Sequence, residues 1–469
     1  MDYSGKIICF PEIRVSVVSE NDGVALISIP SMGKEFRLIF SAIPQIRRSS
    51  NMIGMAATAA AINYALFTRD LYLDFPVSDT DLEFIRESVR INNTEVFVNR
   101  LCRRRYEFFK KEYLPGEKDI TIKNAEGITR IHSTIRHEDN AAGSSGNGVA
   151  VLSSGGKESL LSHGIFMEMN ENPIAFFFNE SGGHWRAAKD SYHDFVSGGY
   201  GTFKIWSNID RFYNFMNRLM HILDPRAFKW ADDYPVQLFT FPVYLLSFLP
   251  AVEKYGIGNI IMGNEFDDPN EMPPYSGIKH FYGIYDQSVT FQKRFSRYMK
   301  DKGYSCELWS PIYNIYGSVV EDLLANRYHD HYVLQRSCHS CHSDHDGNIV
   351  PCGICSKCIG VRMFIEYAGA DPGEIFYPKE NLMELAGKEK LKLDPEELDF
   401  LIDGMKKGEF HRVSHITGIH ILKGEKAPFS MIPDRFREGI RNIVEGYSSG
   451  YWVHDGRGWI QAESEKSKV

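Results

Sequence analysis

From Val149 to about Phe364 short apolar runs alternate with helix-like segments: "VAVLS", a helix, "PIAFFFN", helices, "VQLFTF", a helix, "NIIMGN", a helix and "CELWSPI". Strands separated by helices pair in parallel, and a parallel sheet must be covered by those helices. The expected fold class is therefore α/β, a parallel sheet with helices on both faces. At 469 residues the chain is long enough for two or three cores of ordinary size.

The flanks follow other patterns. Residues 1–136 begin with "IRVSVV" and "VALISI" around Asn21-Asp22-Gly23, a hairpin signal, and continue into two helical stretches, "MIGMAATAAAINYALFTRD" and "DTDLEFIRESVRI…FVNRLCRRRYEFFKKEYL". This is an α+β N-terminal domain without a chemical motif. Its basic run, Arg103, Arg104, Arg105, Lys110 and Lys111, reads first as a solvated helix face and second as a docking surface for an acidic partner. Residues 137–148, "HEDNAAGSSGNG", read as a linker. Residues 365–469 read as mostly helical, with Asp394-Pro395-Glu396-Glu397 opening a helix that Gly408 ends.

Composition removes several classes. Hydrophobic residues make up 43% and charged residues 24%, the balance of an ordinary globular chain. The apolar run Phe241–Val252 is too short to cross a bilayer and is broken by Pro242 and Pro250. The first residues lack the charged and apolar regions of a secretory leader, so a cytoplasmic protein without membrane partners is expected. A net charge of −8 argues against nucleic acid as a general partner.

The stretch "VAVLSSGGKESLLSH" (149–163) runs from a strand through Ser153, Ser154, Gly155 and Gly156 into a helix beginning near Lys157. At the carboxyl edge of a strand and the positive end of a helix, such a loop suits a phosphate. The glycines allow close backbone approach, and Ser154 and Ser159 add hydroxyl donors. A glycine-rich turn with no ligand is the plain alternative. The pattern is neither a P-loop nor a dinucleotide fingerprint.

Five of the eight cysteines, Cys338, Cys341, Cys352, Cys355 and Cys358, fall in one segment, "SCHSCHSDHDGNIVPCGICSKC". In a reducing compartment that spacing reads as a metal site. Four-coordinate zinc is favoured over an iron–sulfur cluster, and His339, His342 or His345 can each replace a thiolate.

Ser154-Gly155-Gly156-Lys157-Glu158-Ser159 resembles the pyrophosphate loop of the N-type ATP pyrophosphatases, Ser-Gly-Gly-x-Asp-Ser, with Glu158 in place of the aspartate. "RSCH…PCGICSKCIGVR" resembles the zinc segment of the 7-cyano-7-deazaguanine synthases within that group. The resemblance spans residues 149–364 and implies a Rossmann-like, adenine nucleotide alpha hydrolase-like domain. It places ATP on Ser153, Ser154, Gly155, Gly156, Lys157, Glu158, Ser159 and Gly263, the last in "NIIMGNEFDD". Ser154, Lys157, Glu158 and Ser159 are the implied catalytic set, with Mg²⁺ as the accompanying ion. Zn²⁺ falls to Cys338, Cys352, Cys355 and Cys358, with Cys341 the alternative first ligand. "YDQS" makes Asp286 a contact to a guanine-like ring, and Gly317 stands where the pattern has a lysine.

The activity so implied is ATP-dependent adenylation of the carboxylate of 7-carboxy-7-deazaguanine or a close analogue, then attack by an amine. Ammonia gives an amide or nitrile. The extra regions, and the presence of extended relatives in antiphage defence loci, raise a protein amine as nucleophile and a protein partner on the N- or C-terminal region. The other readings are a tRNA base-modifying enzyme and a non-catalytic, zinc-stabilised nucleotide-binding scaffold.

Overall fold

The structure is a computed structural model describing residues 3–104, 107–136, 146–229, 234–265, 271–313, 315–338, 340–377 and 431–445, with short pieces at 382, 397–398, 401–402, 419–420, 451–454 and 459–462. In chain order the strands of the first part are β1 (Phe10–Ser19), β2 (Val24–Ile29), β3 (Lys34–Ile43), β4 (Thr68–Asp74) and β5 (Arg130–Ser133). There follow β6 (Gly148–Ser153), β7 (Ile174–Asn179), β8 (Thr202–Ser207), β9 (Ile257–Ile261), a small hairpin of β10 (Met272–Tyr275) and β11 (Ile278–His280), and β12 (Glu307–Trp309).

Ten of these strands form one sheet in the order β12-β9-β6-β7-β8-β3-β2-β1-β4-β5. From β12 to β8 every pairing is parallel. The pairings of β8 with β3, β3 with β2 and β2 with β1 are antiparallel, and β1-β4-β5 is parallel again. The molecule is thus α/β with a large, mostly parallel central sheet. The sheet continues from the expected N-terminal region into the expected nucleotide domain through the β3–β8 pairing, Phe40 opposite Ser207. Most of the expected linker, 137–145, lies outside the described residues.

Side-chain alternation explains why both faces are covered. In β6, Ala150 enters one core while Val149 and Val151 enter the other; Phe176 and Phe177 of β7, and Leu308 and Trp309 of β12, divide the same way. Helices Phe241–Tyr255 and Val289–Asp301 cover the first face, and helices Lys157–Glu168, Gly183–Ser197, Gly317–Arg327 and Ser356–Ala368 the second. Strands apolar on both faces are the sequence signal of a buried parallel sheet. Among the described residues no helix is long and apolar enough to cross a membrane; the run at 241–252 is a helix buried against the sheet.

Several expectations change. "VQLFTF" is not a strand. Residues 236–240 form no sheet ladder, and side chains satisfy their backbone: Asn63 Nδ2 donates to the Phe239 carbonyl at 3.1 Å while Asn63 Oδ1 accepts the Phe239 amide at 2.9 Å. An apolar run can be buried without a partner strand when its polar groups are met this way. The strand of that part of the sheet is β8, "TFKIWS", whose residues alternate between half-buried and buried.

The first N-terminal helix ends at Ile62, and Thr68–Asp70, expected as its tail, open the half-buried strand β4. The second helix, Asp79–Val96, passes into a wider π turn that ends at Cys102. Arg103, Lys110 and Lys111 therefore do not share a helix face. Arg103 lies over the Tyr275 and Tyr282 rings, and Lys110 donates to the His221 carbonyl at 2.7 Å.

In the last hundred residues Asp434–Glu445 is helical. Ile419–His420, Tyr451–His454 and Trp459–Ala462 form a three-stranded sheet. The expected helix start at Asp394 lies outside the described residues, of which 397–398 and 401–402 are helical.

Candidate nucleotide and metal sites

The parallel strands place the site. From β6 the chain builds outward to β7 and β8, then returns to the other side of β6 to lay down β9 and β12. The loops after β6 and β9 therefore part in opposite directions, opening a crevice at the carboxyl ends of the strands where α/β sheets bind ligands. The loop after β6 is Ser154–Gly156; the one after β9 begins Met262-Gly263-Asn264-Glu265.

Both loops line one cavity of about 380 Å³, a size suited to a small-molecule ligand. Ser153, Ser154, Glu158, Ser159 and Gly263 form one end, with Lys357 beside them. Glu180, His184 and the rings of Phe178, Tyr244 and Phe248 form another part of its wall.

Gly155 has φ +77°, and a Cβ there would lie 2.5 Å from the Ala187 carbonyl oxygen, so the turn needs glycine. Its own carbonyl accepts the Arg336 amide at 2.8 Å. Ser159 Oγ accepts the Ser154 amide at 3.3 Å and donates to the Gly156 carbonyl at 3.1 Å; Ser154 Oγ accepts the Gly156 amide at 3.4 Å. Gly263 lets the β9 loop approach the helix, since a Cβ there would fall 2.6 Å from Glu158 Cβ.

Lys157, expected at the phosphates, does not line the cavity and points inward. It is 4% exposed, and its Nζ donates to Glu158 Oε1 at 3.0 Å and to Glu265 Oε1, with the Phe364 ring 5.3 Å away. Burial alone would lower the Lys157 pKa, but Glu158 and Glu265 hold it above the ordinary value. Burial opposes ionisation of Glu158 too, yet Lys157 and Lys357 hold its carboxyl below the usual range. Beneath them Glu321 is fully buried; burial pushes its carboxyl up to about 8, while Gln335 donates to Oε2 at 3.1 Å. A Cβ on Gly317 would meet Glu265 Oε2 at 3.0 Å and Phe364 at 2.9 Å, the groups that hold Lys157. A lysine at 317 and Lys157 would therefore compete for one corner.

Asp286 does not line the cavity. It is 3% exposed, its Oδ2 accepts the Thr240 and Phe241 amides at 2.8 and 3.0 Å, and burial pushes its carboxyl up to about 6. It anchors the start of helix Phe241–Tyr255, while its neighbour Gln287 reaches the cavity.

Comparison with protein-family models, with curated proteins and with solved structures finds no match for this chain.

The cysteine segment lies beside the same loop. Ligand atoms of Cys338, Cys352, Cys355 and Cys358 all fall within 4.8 Å of one another, so the group can hold a metal such as zinc. At a Zn–S length of about 2.3 Å, tetrahedral thiolates stand about 3.8 Å apart. Cys352 Sγ and Cys358 Sγ are 3.6 Å apart. A multi-iron cluster carries its thiolates on separate irons and spreads them wider. The Cys352 amide points to Cys338 Sγ and the Cys358 amide to Cys355 Sγ, both at 3.4 Å, as thiolates bound to a cation require of their surroundings.

Cys341 is buried outside this group, and its carbonyl accepts from Arg186 Nη1 at 2.7 Å. His342 and His345 are exposed and not among the ligands; His339 lies outside the described residues.

Glu265, Glu180, Lys357 and the aromatic wall carry no motif, and sequence reasoning missed them. A signal existed for two: Glu265 follows Gly263-Asn264 directly, and Lys357 stands between two ligand cysteines.

Proposed function

We propose that the chain uses ATP to activate a carboxylate, that of 7-carboxy-7-deazaguanine or a close analogue, and passes the acyl group to an amine. The observation that carries this reading is the meeting of the Ser154–Gly156 loop with the Gly263 loop in one cavity at the strand-order switch, with the cysteine segment alongside.

The triphosphate lies at the helix N-terminus. Its oxygens replace the long internal hydrogen bonds of 3.3 and 3.4 Å that the Ser154 and Gly156 amides make to the loop's own hydroxyls. The substrate carboxylate oxygen attacks the α-phosphorus, the α–β bridging bond breaks, and pyrophosphate leaves. Lys357, exposed at the cavity and set beside Cys358, offsets the developing charge. Glu158 and Glu265 would offer Mg²⁺ hard oxygen donors, and the ion would supply charge neutralisation. Lys157 keeps those two carboxylates together. Amine attack on the acyl carbon then releases AMP, and the nitrogen loses a proton. Ammonia gives the amide; a second ATP adenylates the amide oxygen with loss of pyrophosphate, and that oxygen leaves with AMP as the nitrogen gives up its protons, giving the nitrile. A protein amine gives a conjugate. Zinc on the four cysteines would hold the segment that carries Lys357.

Incubating the protein with ATP, Mg²⁺, the carboxy-deazaguanine and ammonia is expected to yield AMP and pyrophosphate in equal amounts; without an amine, pyrophosphate is released and AMP stays in the acyl-adenylate. Mass spectrometry is expected to show an amide or nitrile only when ammonia is present. ATP that binds and stays intact with the acid supplied would favour the scaffold reading instead.

A further inference from the structure

The phosphate loop accounts for one end of the cavity. The other end is aromatic and holds one carboxyl group. Phe178 of β7 packs on Tyr244 with ring centroids 4.4 Å apart, and Phe176, Phe241 and Phe248 continue the wall. Glu180, the residue after β7, faces into this end and is 5% exposed. Its Oε1 accepts the Trp185 amide at 3.0 Å, which fixes the side chain at the start of helix Gly183–Ser197. Its own amide and the His184 amide also point at the carboxyl; among the described residues no lysine or arginine pairs with it, and the charge that acts on it, Asp210, is of the same sign. Burial with Asp210 nearby pushes its carboxyl up to about 7.

Backbone amides serve this carboxyl from the helix side, no cation neutralises it, and it lines the cavity, where a ligand's donors can reach it. Flat rings around it suit a heteroaromatic base. A guanine-type edge presents a ring N–H and an exocyclic NH₂ side by side, two donors that one carboxylate accepts together. An adenine-type edge presents a ring acceptor beside its amine and leaves one carboxylate oxygen facing a lone pair.

We infer that Glu180 determines specificity for the base, accepting the paired donors of a guanine-type ring held in the aromatic end. This rests on the proposed function and names the residue that selects its substrate, a part that Asp286, bound to backbone amides, does not play.

Glu180→Gln separates recognition from capping. The amide oxygen still accepts the Trp185 amide, but the NH₂ meets the base's donors head-on. Binding of 7-carboxy-7-deazaguanine and of ATP is measured separately on wild type and variant by calorimetry, with thermal melts alongside. The expected result is roughly 10- to 100-fold weaker binding of the deazaguanine acid, with ATP affinity and melting temperature unchanged. Equal binding of the acid by both proteins would make Glu180 a helix cap only and overturn the inference. A loss confined to ATP would put adenine at that end and overturn it as well. A wild type that binds neither compound would overturn the proposed function together with this inference, whereas one that binds both and ignores the substitution would overturn the inference alone.

Discussion

Cys355→Ser is expected to lose the bound metal, lower the melting temperature by on the order of 10 °C and abolish ATP turnover. Four thiolates within 4.8 Å of one another repel unless a cation binds them together. Without it the segment 338–358 has little of its own to fold around: its strands are two residues each, and its loops are short. The loss reaches the nucleotide site by two routes. Arg336, two residues before Cys338, donates its amide to the Gly155 carbonyl, and Lys357 enters the cavity from beside Cys358. Elemental analysis should find one zinc per wild-type chain and none in the variant, and a strong chelator should reproduce the melt. Unchanged stability and turnover in a metal-free variant would show the cluster to be dispensable.

The second large effect is at Lys157. Lys157→Met removes the cation bonded to both Glu158 and Glu265 and leaves two carboxylates facing one another. Breaking a buried pair from one side costs about 3–5 kcal/mol. Glu158 is 31% exposed, so the low end, about 3 kcal/mol, is expected here. The pH dependence has a definite sign. The Glu158 pKa is lowered in the folded wild type, so its contribution is present above the unfolded carboxylate value and fades as pH falls through the folded one. The variant lacks that contribution. Its deficit in chemical denaturation should be full at pH 8 and shrink only as pH falls below the unfolded carboxylate value and through the lowered folded one. A pH-independent deficit would assign the effect to lost packing on Phe364.

Legibility in the sequence varied with the kind of signal. β6, β7, β9 and β12 were readable because runs such as "IAFFFN" are apolar at consecutive positions, as burial on two faces demands. "VQLFTF" carries the same signal for another reason, since Asn63, some 170 residues earlier in sequence, meets its backbone groups. Pattern alone cannot distinguish a strand's ladder from one asparagine. β8 alternates around Lys204 and was passed over. The continuous sheet depends on β3 pairing with β8, a contact between distant segments that no local periodicity encodes.

The site divides similarly. The phosphate loop and the four ligand cysteines were legible because their chemistry requires residues close in sequence. Glu180 and Glu265 were not, because they reach the site from the ends of different strands. Lys157 was visible, but its inward direction depends on Glu265, 108 residues away. Asp286 was visible too, and the Thr240 and Phe241 amides that take up its Oδ2 were not.

The central claim is that a carboxylate oxygen attacks the α-phosphorus of ATP at the Ser154–Ser159 loop. It is tested most directly with 7-carboxy-7-deazaguanine labelled with oxygen-18 in its carboxyl group. Wild type supplied with ATP, Mg²⁺ and an amine should release AMP carrying one labelled oxygen. Gly156→Val, whose Cβ would crowd Glu158 Oε2 at 2.8 Å, should melt normally and release none. Unlabelled AMP, or ADP and phosphate in its place, would contradict the account.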